Sequence, residues 1–245
     1  MQRDMTPEIM DEPSTSREDL AASLRFIRFV NRRLGGSASL IRCLHRWSKR
    51  WPRDRPITLL DIGTGSADIP VDVRRWATRS GFDVRITAVD LHPTTLDLAR
   101  EHVETSGETD AIELVEADAL RLADRYEDSA FDYVHAGMFL HHFPEIEVLT
   151  LLRIMDRLAR TGIVWNDLLR TRLALVGIHV LTVGQPEIVR HDARVSVRKG
   201  FTTREVEQFR RRLELGYTKG RISILGQRFT LAGERPGAWS SPLHR

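Results

Sequence analysis

The stretch LLDIGTGSADIP, residues 59–70, decides how the rest of the chain is read. Apolar residues run into Asp61, and Gly63 and Gly65 follow with one residue between them. Such a run predicts a strand that turns sharply into a helix, because glycine accepts left-handed backbone conformations and lets a ligand approach with no Cβ in the way. A pyrophosphate-binding turn would follow G-x-G-x-x-G and place a third glycine three residues after Gly65. That position holds Asp68, whose charge opposes a pyrophosphate at a helix N-terminus. A purely structural strand–helix turn is the alternative reading of the loop taken alone.

Working outward, short apolar runs recur: ITLLDI (57–62), VRITAVD (84–90), AIELVEA (111–117), FDYVHAG (131–137) and TGIVWND (161–167). The segments between them, DIPVDVRRWATRSG, PTTLDLAREHVETSG and PEIEVLTLLRIMDRLAR, have helical periodicity. This alternation predicts a parallel sheet covered by helices on both faces. Beyond Asp167 the pattern predicts a helix over 168–183 and an irregular stretch with Pro186 and VRHDARVSVRKG. A helix capped at Thr202-Thr203 follows, and two β-rich runs, YTKGRISILG and QRFTLAGER, pair as an antiparallel hairpin at the sheet edge. Upstream, Ser16 with Asp19 three residues on opens a helix carrying Leu20, Leu24, Ile27 and Val30, and SASLIRCLHRWSKRW forms a second. The expected organisation is a disordered tail over 1–15, a helical cap over 16–54, an α/β domain over 55–235 and a short tail over 236–245. That domain is a Rossmann-like, doubly wound, mostly parallel seven-stranded sheet with an antiparallel C-terminal strand.

Two further acids extend the site. Asp90 ends the second strand, where a carboxylate accepts the hydroxyls of a ribose, and Asp118 follows the third in VEADALRL. Each could instead cap the next helix or turn. Three acids at successive strand ends, beside a glycine loop without phosphate chemistry, describe a site for a nucleoside with a cationic tail. At LLDIGTGSAD, AVDLHPTTLDLAR, EADALRL and FDYVHAGMFLHHF the chain resembles the class I S-adenosylmethionine-dependent methyltransferases of small-molecule type, over residues 55–167. The resemblance implies S-adenosylmethionine as cofactor, its methionine part cradled by Gly63, Thr64 and Gly65 with support from Asp61. It implies ribose binding by Asp90, adenine flanked by Leu91, and the adenine edge read by Asp118 with the Ala119 amide. The family's third glycine is Ala67 here, expected inside the first turn of the helix and harmless there.

On the acceptor side, a base that takes a proton from a phenol or carboxylate would assist methyl transfer. His142 and His191 are the candidate catalytic bases, and His141, Trp165, Asn166 and Arg190 the candidate substrate contacts. Asp167 either orients an acceptor or caps the next helix, and Arg198 either holds an anion or solvates a loop. The segments VWND and RHDARVSVRKGFT are similar to those of methyltransferases in bacterial polyketide pathways, which implies O-methylation of a phenolic or polyketide-derived compound. The alternatives are C-methylation of a quinone precursor, a nicotinamide-dependent oxidoreductase, or a non-catalytic nucleoside-binding module.

Composition bounds these readings. The 245 residues carry a formal charge of +3 and a single cysteine, Cys43, so no internal disulfide forms; no Cys/His spacing typical of zinc is present and no metal is expected. Residues 1–20 hold six acids against two arginines. Basic runs such as FRRRLE lack interleaved aromatics and read as a solvated helix face, so nucleic acid is not an expected partner. The apolar stretch LALVGIHVLTVG is too short for a membrane span, and no signal peptide is recognisable, which predicts a cytoplasmic protein. Homodimer formation is left open.

Overall fold

A computed structural model of the chain describes residues 2–12 and 14–239. Five strands alternate with helices from Ile57 onward: β1 (Ile57–Ile62), β2 (Val84–Asp90), β3 (Ile112–Glu116), β4 (Phe131–Gly137) and β5 (Ala159–Leu168). They are followed by β6 (Lys219–Ser223) and β7 (Arg228–Glu234). The helices are α1 (Arg17–Arg33), α2 (Gly36–Trp47), α3 (Asp68–Arg79), α4 (Pro93–Ser106), α5 (Leu122–Arg125), α6 (Glu145–Leu158), α7 (Arg172–Leu181), α8 (Glu187–Lys199) and α9 (Thr203–Arg212).

The seven strands form one sheet in the order β3-β2-β1-β4-β5-β7-β6. The strands β1 to β5 pair in parallel, and β7 runs antiparallel to both β5 and β6. The chain direction reverses its order at β1/β4, and a doubly wound sheet opens its ligand crevice at the carboxyl ends of the strands there. Both faces of the sheet are buried, which is why β1 and β4 read as near-continuous apolar runs. Leu59 faces a layer with Leu40, Trp47, Val73 and Trp76, whereas Leu60 faces one with Leu149, Leu152, Trp165 and Phe209.

Four expectations change in the structure. The stretch around Pro186 is not irregular: Pro186 is the N-cap of α8, whose Ile188, Asp192 and Val195 are buried while Arg190 and Arg198 stay exposed. Its polar run is the solvated stripe of an amphipathic helix. The helix expected from residue 168 starts at Arg172, because Leu168 ends β5 and the Leu169 N–H donates to the Gln227 carbonyl at 2.9 Å. The helices α1 and α2 do not act together as a cap. The α1 helix roofs the crevice, whereas α2 packs Leu40, Leu44 and Trp47 into the core beside α3, with the Trp47 ring stacked on Tyr133 at 5.1 Å.

Residues 2–12 are not a free tail. Arg3 donates to the backbone carbonyls of Lys199 and His141, and the amides of Ile9 and Met10 donate to the Asp192 carboxylate at 2.8 and 2.9 Å. Glu8 is only 2% exposed. Of the acids that suggested disorder, Glu8 accepts from Lys199 at 3.3 Å and Asp11 lies 2.9 Å from the His142 ring. At the other end, Trp239 donates to Glu234 at 3.1 Å, and the remainder of the expected C-terminal tail, 240–245, lies outside the described residues.

Candidate active site

A cavity of about 770 Å³ opens at the carboxyl ends of β1, β2 and β4. One end is built by the glycine loop. Gly63 and Gly65 have φ of +68° and +55°, and a Cβ on Gly63 would lie 2.2 Å from the Phe139 ring, so this turn accepts only glycine without rearrangement. Asp61 supports the loop from below: it accepts from the Thr64 hydroxyl at 2.7 Å and pairs with His135 on the neighbouring β4. Ala67 departs from expectation. It lies before the helix rather than inside its first turn, as the left-handed N-cap of α3 with φ +53°, a position where alanine carries strain that glycine would not.

Asp90 lines the cavity at the end of β2, and its carboxylate accepts from the Gly65 amide at 2.9 Å and the His92 amide at 3.1 Å. Burial raises its pKa although these amides favour the charge. Each oxygen retains lone-pair capacity for a further donor from the cavity. Leu91, 63% exposed, flanks it, while Asp118 accepts from the Leu120 amide at 2.9 Å and Ala119 closes the wall. All eight expected cofactor residues border this one cavity, together with Asp68.

Asp68 heads α3 and is fully buried; burial pushes it up to about 6, with the Asn31 amide and Arg28 pulling the other way. Asn31, on α1, donates to Asp68 at 3.1 Å and accepts from Arg228 at 3.0 Å. Arg228 in turn donates to Asn166 at 3.3 Å, and burial lowers it to about 10. A buried polar chain thus links the loop, the roof and β7. It was not apparent in the sequence, because its members are spread over nearly the whole chain.

The expected acceptor residues divide. His141 and His142 lie at the cavity wall below the roof. The His141 ring nitrogen Nδ1 is 2.7 Å from Asp167, and although burial opposes its charge, Asp167 and Glu8 hold it up at about 9. Asp167 therefore neither contacts the cavity nor merely caps a helix: it accepts from His141 and from the Leu168 amide. His142 Nδ1 is 2.9 Å from Asp11. Five other candidates do not line the cavity. Trp165 is fully buried among Phe201, Phe209 and Phe229, and Asn166 donates to the Phe229 carbonyl and the Thr230 hydroxyl. As neighbours on β5 they point to opposite faces of the sheet, and packing holds Trp165, and bonds to β7 hold Asn166, away from the crevice. His191 pairs with Asp192 on the outer side of α8, and Arg190 and Arg198 are exposed there. Residues not foreseen as cavity walls are Glu8, Met10, Asn31, Phe139, Ile178 and Asp192.

A seven-stranded sheet of this order, with a glycine loop and acids at three successive strand ends, is the Rossmann-like arrangement that the resemblance to class I S-adenosylmethionine-dependent methyltransferases implies. Residues 59–162 match the family model described as Methyltransferase domain. It is 39% identical over 83 residues to the release factor glutamine methyltransferase of Rhodopirellula baltica, a match covering 33% of this chain and 26% of that protein. It is 32% identical over 97 residues to the ubiquinone/menaquinone biosynthesis C-methyltransferase UbiE of Brucella anthropi, covering 39% of this chain and 35% of that one. The chain thus matches only about a quarter to a third of the length of these relatives.

Solved structures extend the likeness in fold. The plantazolicin methyltransferase BpumL with S-adenosylhomocysteine superposes with a TM-score of 0.62 at 12% identity, over 89% of this chain and 95% of that one. The magnesium protoporphyrin IX methyltransferase of Synechocystis, also with S-adenosylhomocysteine, gives 0.58 at 13% identity, over 86% of each. Among the described residues no helix is long and apolar enough to cross a membrane.

Proposed function

We propose that this chain transfers the methyl group of S-adenosylmethionine to an oxygen of a small aromatic or polyketide-type acceptor. The observation that carries this reading is the two-ended cavity. Its polar end, at Asp61, Gly63–Gly65, Asp90 and Asp118, suits a nucleoside and an amino-acid tail. Its other end is walled by Leu24, Phe26, Ile27, Met138, Phe143 and Ile178, with the two histidines between the ends. A volume of about 770 Å³ lies in the upper part of the range for small-molecule sites, about 300–1,000 Å³.

When bound, the cofactor supplies an electrophilic methyl on a sulfonium; the chain's part is to hold both partners in line and exclude water. The ribose hydroxyls would donate to Asp90, the adenine would lie against Leu91 with its edge at Asp118 and Ala119, and the cationic tail would face Asp61 and Asp68. The α1 helix and residues 2–12 roof the acceptor end. His142, the more exposed of the two histidines, is the residue to take a hydroxyl proton from the acceptor. The likeness to a quinone-pathway C-methyltransferase favours a second reading, transfer to a ring carbon, in which the same apolar end holds the acceptor.

Incubation with methyl-labelled S-adenosylmethionine and a panel of phenols, polyketides and quinols, followed by mass spectrometry and NMR of the products, tests both. A methyl ether supports the first reading, a C–CH₃ product the second. Unlabelled products throughout, or hydride transfer from a nicotinamide, would overturn methyl transfer. For a phenolic acceptor, His142→Ala is expected to lower kcat by about 100-fold, the range typical of general-base loss.

A further inference from the structure

We propose that Glu8, His141 and His142 form a binding site for a divalent transition-metal ion, with an open coordination position facing the cavity. The ligand atoms of the three side chains all lie within 4.8 Å of one another, and all three residues border the cavity. Nε2 of His141 and Nε2 of His142 stand 3.7 and 3.9 Å from the same oxygen of Glu8, beyond hydrogen-bond reach. Among the described residues, Nε2 of His141 is buried and has no hydrogen-bond partner. Groups that converge on a point without bonding each other leave room for a common partner between them.

The reverse sides of the rings strengthen the assignment. Nδ1 of His141 is held by Asp167 at 2.7 Å and Nδ1 of His142 by Asp11 at 2.9 Å. A carboxylate on the far nitrogen is the arrangement that fixes the tautomer and orientation of a metal-ligating imidazole. It occurs here on both rings and turns both Nε2 atoms inward. A tetrahedral ion with bonds of about 2.0–2.1 Å sets its ligand atoms roughly 3.3 Å apart, so closure around an ion draws the Glu8 pairs, at 3.7 and 3.9 Å, together by about half an ångström and the widest pair, within 4.8 Å, by at most about 1.5 Å.

The Lys199 ammonium lies 3.3 Å from the same Glu8 oxygen, and Arg3 donates to the His141 carbonyl. A carboxylate offers about four lone-pair sites, so Glu8 can serve both the lysine and an ion, and Asp167 and Asp11 offset the added positive charge. Two imidazoles and one carboxylate suit zinc, cobalt(II) or iron(II) rather than magnesium or calcium, which take oxygen ligands. Three protein ligands with an open position is the pattern of sites that accept an exogenous oxygen; with an ion on Nε2 and Asp11 on Nδ1, His142 has no nitrogen left to act as base, and the ion would take over that role by acidifying the bound hydroxyl. That the oxygen belongs to the methyl acceptor rests on the methyl-transfer reading; the binding of the ion does not. Spacing along the chain hides this site, because Glu8 comes from the N-terminal segment and the histidines from the end of β4.

The test is Zn²⁺ titration by calorimetry of the full-length chain stripped with a chelator, with Co²⁺ as a visible-absorption reporter. The expected result is one ion per chain at micromolar Kd or tighter, with a d–d band of a low-coordinate Co²⁺ site. Glu8→Gln and His142→Ala should each weaken binding at least tenfold, and Asp11→Asn, behind a ligand, by about 10- to 100-fold. Thermal melts identify any variant that fails to fold; Glu8→Gln, nearly isosteric, and Asp11→Asn, at the surface, then decide. No uptake by the wild type, or equal uptake by wild type and these variants, would overturn the site. S-adenosylhomocysteine titrated in parallel separates the readings: Zn²⁺ uptake without it removes the methyl-transfer assignment and leaves the site, and the reverse removes the site alone.

Discussion

Asp68 shows how one residue serves two opposed demands. Its carboxyl is held up at about 6 by burial, so the folded chain binds more protons than the unfolded chain between the ordinary aspartate range and pH 6. Stability is therefore present below that window, falls as pH rises through it, and stays low above it. At 1.36 kcal/mol per pH unit the loss approaches about 3 kcal/mol at neutral pH. Asp68→Asn is expected to raise the urea midpoint at pH 7, flatten the profile between about pH 4 and 6, and weaken S-adenosylhomocysteine at least tenfold. Unchanged affinity in calorimetry would show that the cationic tail does not face Asp68. Glycines give a second contrast. Gly63→Ala meets both a left-handed φ and the Phe139 ring, and is expected to cost about 2–4 kcal/mol and abolish cofactor binding. Gly177→Ala, in α7 with nothing within 4 Å, is expected to add about 0.5–1 kcal/mol in the same unfolding assay.

The elements that make the site differ in what they contribute. The ends of β1, β2 and β3 carry the proposed cofactor residues and are held by the sheet's register, Asp61 opposite Ala88 and His135 and Asp90 opposite Glu116. The acceptor end is made by elements that meet only through tertiary contacts: α1, α7, α8 and residues 2–12. Removing residues 1–12 takes away Glu8 and the Ile9 and Met10 amides and leaves Lys199 and Asp192 buried without these partners, which is expected to cost about 3 kcal/mol or more. Acceptor turnover is expected to drop at least tenfold while the Kd for S-adenosylhomocysteine changes by less than about threefold. Wild-type stability and turnover in that truncation would return the segment to the status of a tail. On α1, Asn31 joins Asp68 to Arg228, so Asn31→Leu strands two buried ionisable groups and should affect both stability and affinity.

For the whole molecule, the cavity spans the glycine loop, the strand ends and the roof, so a ligand that fills it links most of the chain. S-adenosylhomocysteine at 100 times its Kd is expected to stabilise the fold by about 2.7 kcal/mol, a rise in Tm of roughly 5–11 °C for a chain of this size. NADH at equal concentration is expected to leave Tm unchanged. Equal shifts from both in scanning calorimetry would mean that the cavity reads only a nucleoside.

The parallel sheet, the glycine loop and the acids at Asp61, Asp90 and Asp118 were legible along the chain because they depend on local pattern. Period-2 and period-3.6 apolar repeats set the elements, and a strand's end sets where its last carboxylate stands. The acceptor end was not legible in that way. Trp165 and Asn166 stand near a strand end as substrate residues would, yet aromatic packing around Trp165 and the bonds of Asn166 to β7 hold them in the core. His191 sits in a polar run that helical periodicity places on the outer side of α8. Glu8, Asn31 and Asp192 gain their roles from contacts with residues far away in the chain, where burial and charge pairing reward an approach that no local spacing encodes.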